Sequence, residues 1–219
     1  MNKKIMQRYL EFTNKLDDYN YLLLRIAFRT APTLLGIKPA CLISLVNPSR
    51  NIIANWEQSK SDITGRLDLD YLEIKKSSQK ILILFYREEI LAKYLALKEN
   101  QDFLKQLGYR EGLNNMLSLV QARFKSGCPH EIGLFLGFPC QDVKAFMEYQ
   151  EKISGIRSGL QVGQGPRVLL NGYWKVYHKP DLASDIFRRY DLARMMVMIV
   201  MLDPLLVLKV FAYPPAAEP

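Results

Sequence analysis

Histidine and cysteine are scarce in this chain, which has two of the first and three of the second among 219 residues. Three thiols cannot all pair internally, and none has the close spacing of a disulfide framework, so the sequence predicts a reducing, cytoplasmic setting. No secretory leader is expected, because Met1 to Lys15 is polar and charged with no apolar central stretch. There is no Walker loop, and no Gly-x-Gly-x-x-Gly follows a strand. Gly163-Gln164-Gly165-Pro166 comes before a predicted strand, so it lacks the helix N-terminus that a dinucleotide fingerprint uses. No signature of a known serine or cysteine hydrolase is present.

Basic tracts are missing as well. The net charge is +8, which favours anionic partners. The cations are nevertheless scattered in pairs, as at Lys3-Lys4, Lys75-Lys76 and Arg188-Arg189, usually with acids nearby. That distribution describes the solvated faces of a mildly basic protein. A small anionic ligand suits it, and nucleic acid does not.

What is present is a foldable core. The hydrophobic fraction is 49% and the aromatic fraction 11%, values of a globular chain long enough for one domain. Helical patterning covers Lys3 to Leu16 and Tyr19 to Arg29, with Asp17-Asp18 as junction or cap and Thr30-Ala31-Pro32-Thr33 as a break. Ala40 to Val46 reads as a strand and Ile52 to Lys60 as a helix. Ile81 to Tyr86 is the clearest strand, a continuous β-prone apolar run. Helices follow over Glu88 to Leu97, Gln101 to Leu107, Leu113 to Phe124, Gln141 to Lys152 and Leu182 to Arg194. Ser154 to Gly165, with four glycines, reads as a long exposed loop. Val168 to Tyr177 reads as a strand, or a hairpin turning at Asn171-Gly172. Strands alternating with helices predict a single α/β domain over residues 1–194, with a small mixed or largely parallel sheet covered by helices.

Chemistry concentrates at Cys128-Pro129-His130-Glu131-Ile132-Gly133-Leu134-Phe135-Leu136-Gly137-Phe138-Pro139. Cys128, His130, Glu131 and Cys140 are residue types that bind zinc or iron, but there is no Cys-x-x-Cys pair and no second nearby histidine, so no metal is assigned. The competing reading is a tight turn set by Pro129 and capped by His130 and Glu131. Cys128 and His130 would share a face if the stretch were extended, the minimum a nucleophile and base require. Ile132 to Val143 also has the spacing of two short helices about a glycine turn. Its second helix offers Gln141, Asp142, Lys144 and Glu148, a poor set for reading base edges. Alternation puts Tyr173, Lys175 and Tyr177 on one face and Trp174 and Val176 on the core side, so the first three form a half-exposed face suited to an anionic aromatic ligand. Gly137-Phe138-Pro139 leads into a helix whose free N–H groups, with Lys38, suit an anion.

Three motifs occur in order: Ala31-Pro32-Thr33-Leu34-Leu35-Gly36-Ile37-Lys38-Pro39-Ala40, His130 to Pro139, and Gly172-Tyr173-Trp174-Lys175-Val176-Tyr177. Together they resemble the bacterial domain-of-unknown-function family 3793, over roughly Tyr19 to Tyr190. The resemblance implies a cytosolic single-domain protein and transfers no catalytic residue. Two stretches depart from the family pattern: the glycine-rich segment is longer, and the ending after Arg194 is far more apolar.

The sequence therefore predicts a binding site for a small ligand or cofactor of unassigned identity. Its candidate residues are Cys128, His130, Glu131 and Gly137 from the central motif, with Lys38, Lys175 and Tyr177. An enzyme using the same residues is the first alternative, and a nucleic-acid or protein-interaction module the second. Residues 195–219 read as an apolar tail. Asp203-Pro204 and Lys209 interrupt it, so it is expected to pack on the domain, a partner chain or a membrane surface and not to cross a bilayer.

Overall fold

The computed structural model describes residues 3–47, 49–157 and 165–202. Two helices open the chain, α1 (Lys3–Asn14) and α2 (Asp18–Leu34). The Asp17 carboxylate caps α2 by accepting from the Asn20 N–H at 2.9 Å. Contrary to the expected break, α2 runs on through Pro32. A proline near a helix end forfeits one ladder bond, and the last turn here is secured differently. The N–H groups of Ile37 and Lys38 both donate to the Pro32 carbonyl, at 2.9 and 3.1 Å.

Next come β1 (Ala40–Val46), α3 (Ile52–Leu67), β2 (Asp70–Lys76) and β3 (Lys80–Tyr86). The three strands form one sheet in the order β1-β3-β2, and both neighbours pair antiparallel with β3. The sheet is antiparallel, and this corrects the expected mixed or largely parallel pairing. The reason lies in where β3 goes. β1, α3 and β2 make a crossover unit of the kind that joins parallel strands, but β3 returns by a short turn and inserts between the two strands that the crossover connects.

Helices cover both faces of this sheet, and strict alternation in β3 feeds both sides. Ile81, Ile83 and Phe85 pack with Leu22 and Ile26 of α2 and with Trp56 and Ile63 of α3. Leu84 faces the opposite way, into a cluster with Leu91, Leu104, Leu117, Leu134 and Phe135. That second layer comprises α4 (Glu88–Leu95), α5 (Lys98–Gln106), α6 (Leu113–Arg123), the short α7 (Ile132–Phe135) and α8 (Cys140–Arg157). Burial on both faces explains the unbroken apolar run of β3, a pattern more familiar from parallel sheets. Each fully buried Ile or Leu in such a layer contributes roughly 1.5–3 kcal/mol.

A small hairpin, β4 (Leu170–Asn171) and β5 (Lys175–Val176), leads to the long helix α9 (Pro180–Leu202). Helix α9 lies against α1 and α2 and continues eight residues past Arg194, where the sequence pattern stopped it. No described helix is long and apolar enough to cross a membrane. Of the segment expected to be a glycine-rich loop, residues 154–157 belong to α8. Residues 158–164 and 203–219, the latter comprising most of the apolar tail, lie outside the described residues.

Candidate functional site

The central motif folds as a turn, a one-turn helix and a second turn. Backbone bonds from Ile132 to Pro129 and from Gly133 to His130 wind the entry, and α7 ends where the Phe138 N–H reaches back to the Gly133 carbonyl at 2.8 Å. Both glycines are forced by close approach. Gly137 has φ +76°, and a Cβ there would lie 2.5 Å from Cδ of Pro39. At Gly133, a Cβ would lie 2.9 Å from Cγ2 of Val143, so only glycine lets α7 meet α8 this closely.

The turn splits His130 from Glu131. His130 is exposed, its ring edge-on to Phe146 with centroids 5.1 Å apart. Glu131 is 4% exposed and points into the protein. There it accepts a hydrogen bond from the Tyr109 hydroxyl at 3.0 Å and pairs with Arg123. The Arg123 guanidinium also donates to the Leu107 carbonyl and lies over the Tyr109 ring at 4.8 Å. Burial, then the nearby Glu131 charge, pushes the Tyr109 hydroxyl well above the usual tyrosine range.

On the His130 side lies a cleft of about 370 Å³. Pro129, Ile132, Phe138, Val143, Phe146 and Trp174 form its apolar walls, and Cys128, His130 and Lys175 also line it. Phe138 stacks on Trp174 at 5.0 Å and 27°, joining the central motif to the hairpin. The ammonium of Lys175 sits over the rings of Tyr149 and Phe146, at 5.3 and 5.7 Å, with no carboxylate partner among the described residues. Although Cys128 is exposed, partial desolvation of its sulfur raises the thiol above its ordinary value and the Glu131 charge adds to this, so the protonated form prevails at neutral pH. Its sulfur reaches the Pro129 carbonyl at 4.0 Å and makes no bond to His130.

The candidate residues thus divide. Cys128, His130 and Lys175 come together at the cleft, and Glu131, Gly137, Lys38 and Tyr177 lie elsewhere. Tyr177 was expected on the half-exposed face with Lys175. It is buried, because pairing ends at Val176 and the chain then turns inward. Lys38 is also buried, packed over Phe138 and Tyr190.

One residue at the site escaped the sequence reading. Asp142, in the first turn of α8, is 2% exposed and organises the cleft wall. Its Oδ2 accepts from Trp174 Nε1 at 2.7 Å, and its Oδ1 accepts from the N–H groups of Tyr177 and His178, each at 2.9 Å. The ring Nδ1 of His178 lies 3.3 Å from the same oxygen. Asp142 borders both the cleft and a second hollow of about 240 Å³ that His178, Cys140 and Glu99 line. The signal for it was the lone acid in the first turn of α8, a position that favours carboxylates on dipole grounds alone. No described group of His, Cys, Asp and Glu side chains is arranged to hold a metal ion.

Comparison with known proteins gives one match. The family model described as protein of unknown function (DUF3793) covers residues 26–206, so the chain belongs to that family. The match runs past Tyr190 through the rest of α9. No curated protein and no solved structure matches the chain.

Proposed function

We propose that this member of the DUF3793 family binds a small, flat, mainly apolar molecule with an anionic end, in the cleft between α7, α8 and the β4–β5 hairpin. The observation that carries the reading is the composition of that cleft. About 370 Å³ of largely apolar and aromatic wall carries two basic side chains, His130 and Lys175. Its volume lies in the range of small-molecule sites, and a few polar groups on an apolar wall fix the orientation of such ligands. Lys175 has no competing carboxylate among the described residues, so its charge is available to an anion. The enzyme alternative has less support, since partial desolvation and the Glu131 charge keep the Cys128 thiol protonated and His130 does not contact it.

Anilinonaphthalene sulfonate, an aromatic anion, tests this directly. Trp174 lines the cleft and Trp56 lies fully buried in the core, so quenching of tryptophan emission reports on the cleft. Saturable binding at one site is expected. Lys175→Ala should weaken it about tenfold, the loss of one charge-assisted contact, and Lys175→Glu should abolish it by reversing the charge that meets the anion. Equal affinity in the wild type and both variants would overturn the reading.

A further inference from the structure

Lys38 is the most buried cation among the described residues, at 8% exposure. It lies in the loop between α2 and β1, positioned by the two N–H bonds to the Pro32 carbonyl. Lysines are rarely this buried without a counter-charge, because an unpaired ammonium is costly to desolvate. Here Nζ faces the rings of Phe138 and Tyr190, at 5.3 and 5.6 Å, and no carboxylate of the described residues forms an ion pair with it.

A second cation stands close by. Arg194 of α9 lies over the rings of Tyr173 and Phe28, at 4.9 and 5.8 Å. The rings of Tyr173 and Tyr190 meet edge to face with centroids 5.0 Å apart, so one tyrosine pair carries a cation on each ring. Arg194 Nη1 donates to the Tyr173 hydroxyl at 3.0 Å, and that hydroxyl donates to Asp191 at 2.6 Å. The Arg194 Nε is buried and has no acceptor among the described residues. Burial lowers the Lys38 pKa, Cys41 opposes this, and the positive field of Arg194 adds a smaller lowering. The two cations are thus linked through one tyrosine pair, and neither has a carboxylate partner among the described residues.

We propose that Lys38 and Arg194 form a second binding site, distinct from the cleft, for an oxyanion of the carboxylate or phosphate class. Both cations keep donors for its oxygens, and its charge relieves their mutual repulsion. The aromatic rings of Phe138, Tyr190 and Tyr173 keep water from competing for those donors.

The test is the melting temperature of the full chain, titrated with potassium phosphate or potassium acetate against potassium chloride at matched ionic strength. Anything that binds the folded state alone raises the midpoint with concentration. A rise beyond that in chloride is expected with at least one oxyanion, and the responding salt assigns phosphate or carboxylate. Lys38→Met removes the charge and keeps the stem, so it should melt at or above the wild type in chloride and lose the oxyanion response. Arg194→Gln should weaken the response about tenfold, and Arg188→Gln, at an exposed position elsewhere on α9, should leave it unchanged. The proposal fails if neither salt exceeds chloride, or if Lys38→Met retains the full response.

Discussion

The two sides of the His130–Glu131 corner are built on opposite principles. Toward the cleft, Cys128, His130 and Lys175 are exposed and enter no described ion pair. Behind it, Glu131 and Asp142 are almost fully buried, and each gathers donors from distant parts of the chain. Charged groups beside a cavity therefore fall into two kinds. Some hold the walls in place and the others remain free to meet what enters, and adjacency in sequence does not predict which is which.

Asp142→Ala should break this contrast most severely. It strands the Trp174 indole N–H and the Tyr177 and His178 amides, all now satisfied by one carboxylate. A loss of about 3 kcal/mol or more is expected in denaturant unfolding, together with loss of probe binding as Trp174 shifts. Asp142→Asn, which keeps the shape, should lose clearly less. An alanine variant that melted like the wild type would remove Asp142 from the scaffold.

Glu131→Ala comes next. It leaves the Tyr109 hydroxyl and the Arg123 guanidinium without their shared acceptor, and a loss of about 2 kcal/mol should follow. Probe binding at the cleft should persist under native conditions, since Glu131 does not line it. His130→Ala, one residue away, should change stability by no more than about 0.5 kcal/mol and weaken probe binding. The comparison collapses if the two adjacent variants lose equal stability.

How much of this was legible in the sequence depended on whether one strand or helix sufficed to read a feature. β1 was predicted over Ala40–Val46 and forms there, and β3 begins one residue before the predicted Ile81. Buried on both faces, these strands announce themselves as apolar runs. β2 did not, because Asp70, Glu73, Lys75 and Lys76 give no clean alternation and Ile74 is its one buried side chain. Missing that strand removed the hairpin with β3, and with it the sign that pairing is antiparallel. Charged residues at edges discourage pairing with other chains, so the feature that hid β2 from the pattern also protects the sheet.

The site was legible by position and less so by role. The central motif does border a cavity, but its own turn decides that His130 faces outward and Glu131 inward. That turn depends on Gly137 lying against Pro39, a contact between residues nearly a hundred positions apart in the chain. Lys38 looked like a partner for the same motif because it precedes Pro39. In the fold, the ring of Phe138 is what it meets. Asp142 was visible only as a poor contact for DNA bases, since its partners lie more than thirty residues downstream.

The Asp142 carboxylate also makes two backbone protons unusual. Tyr177 and His178 lie after β5 and before α9, with no ladder and no helical turn to hold their amides. Both instead end on one carboxylate at the start of α8. Exchange of these two protons with solvent deuterium therefore follows a single event, the parting of α8 from the hairpin, and not the fraying of any strand. They form a built-in gauge of how often the cleft wall comes apart, and they read it from the side that a ligand never touches.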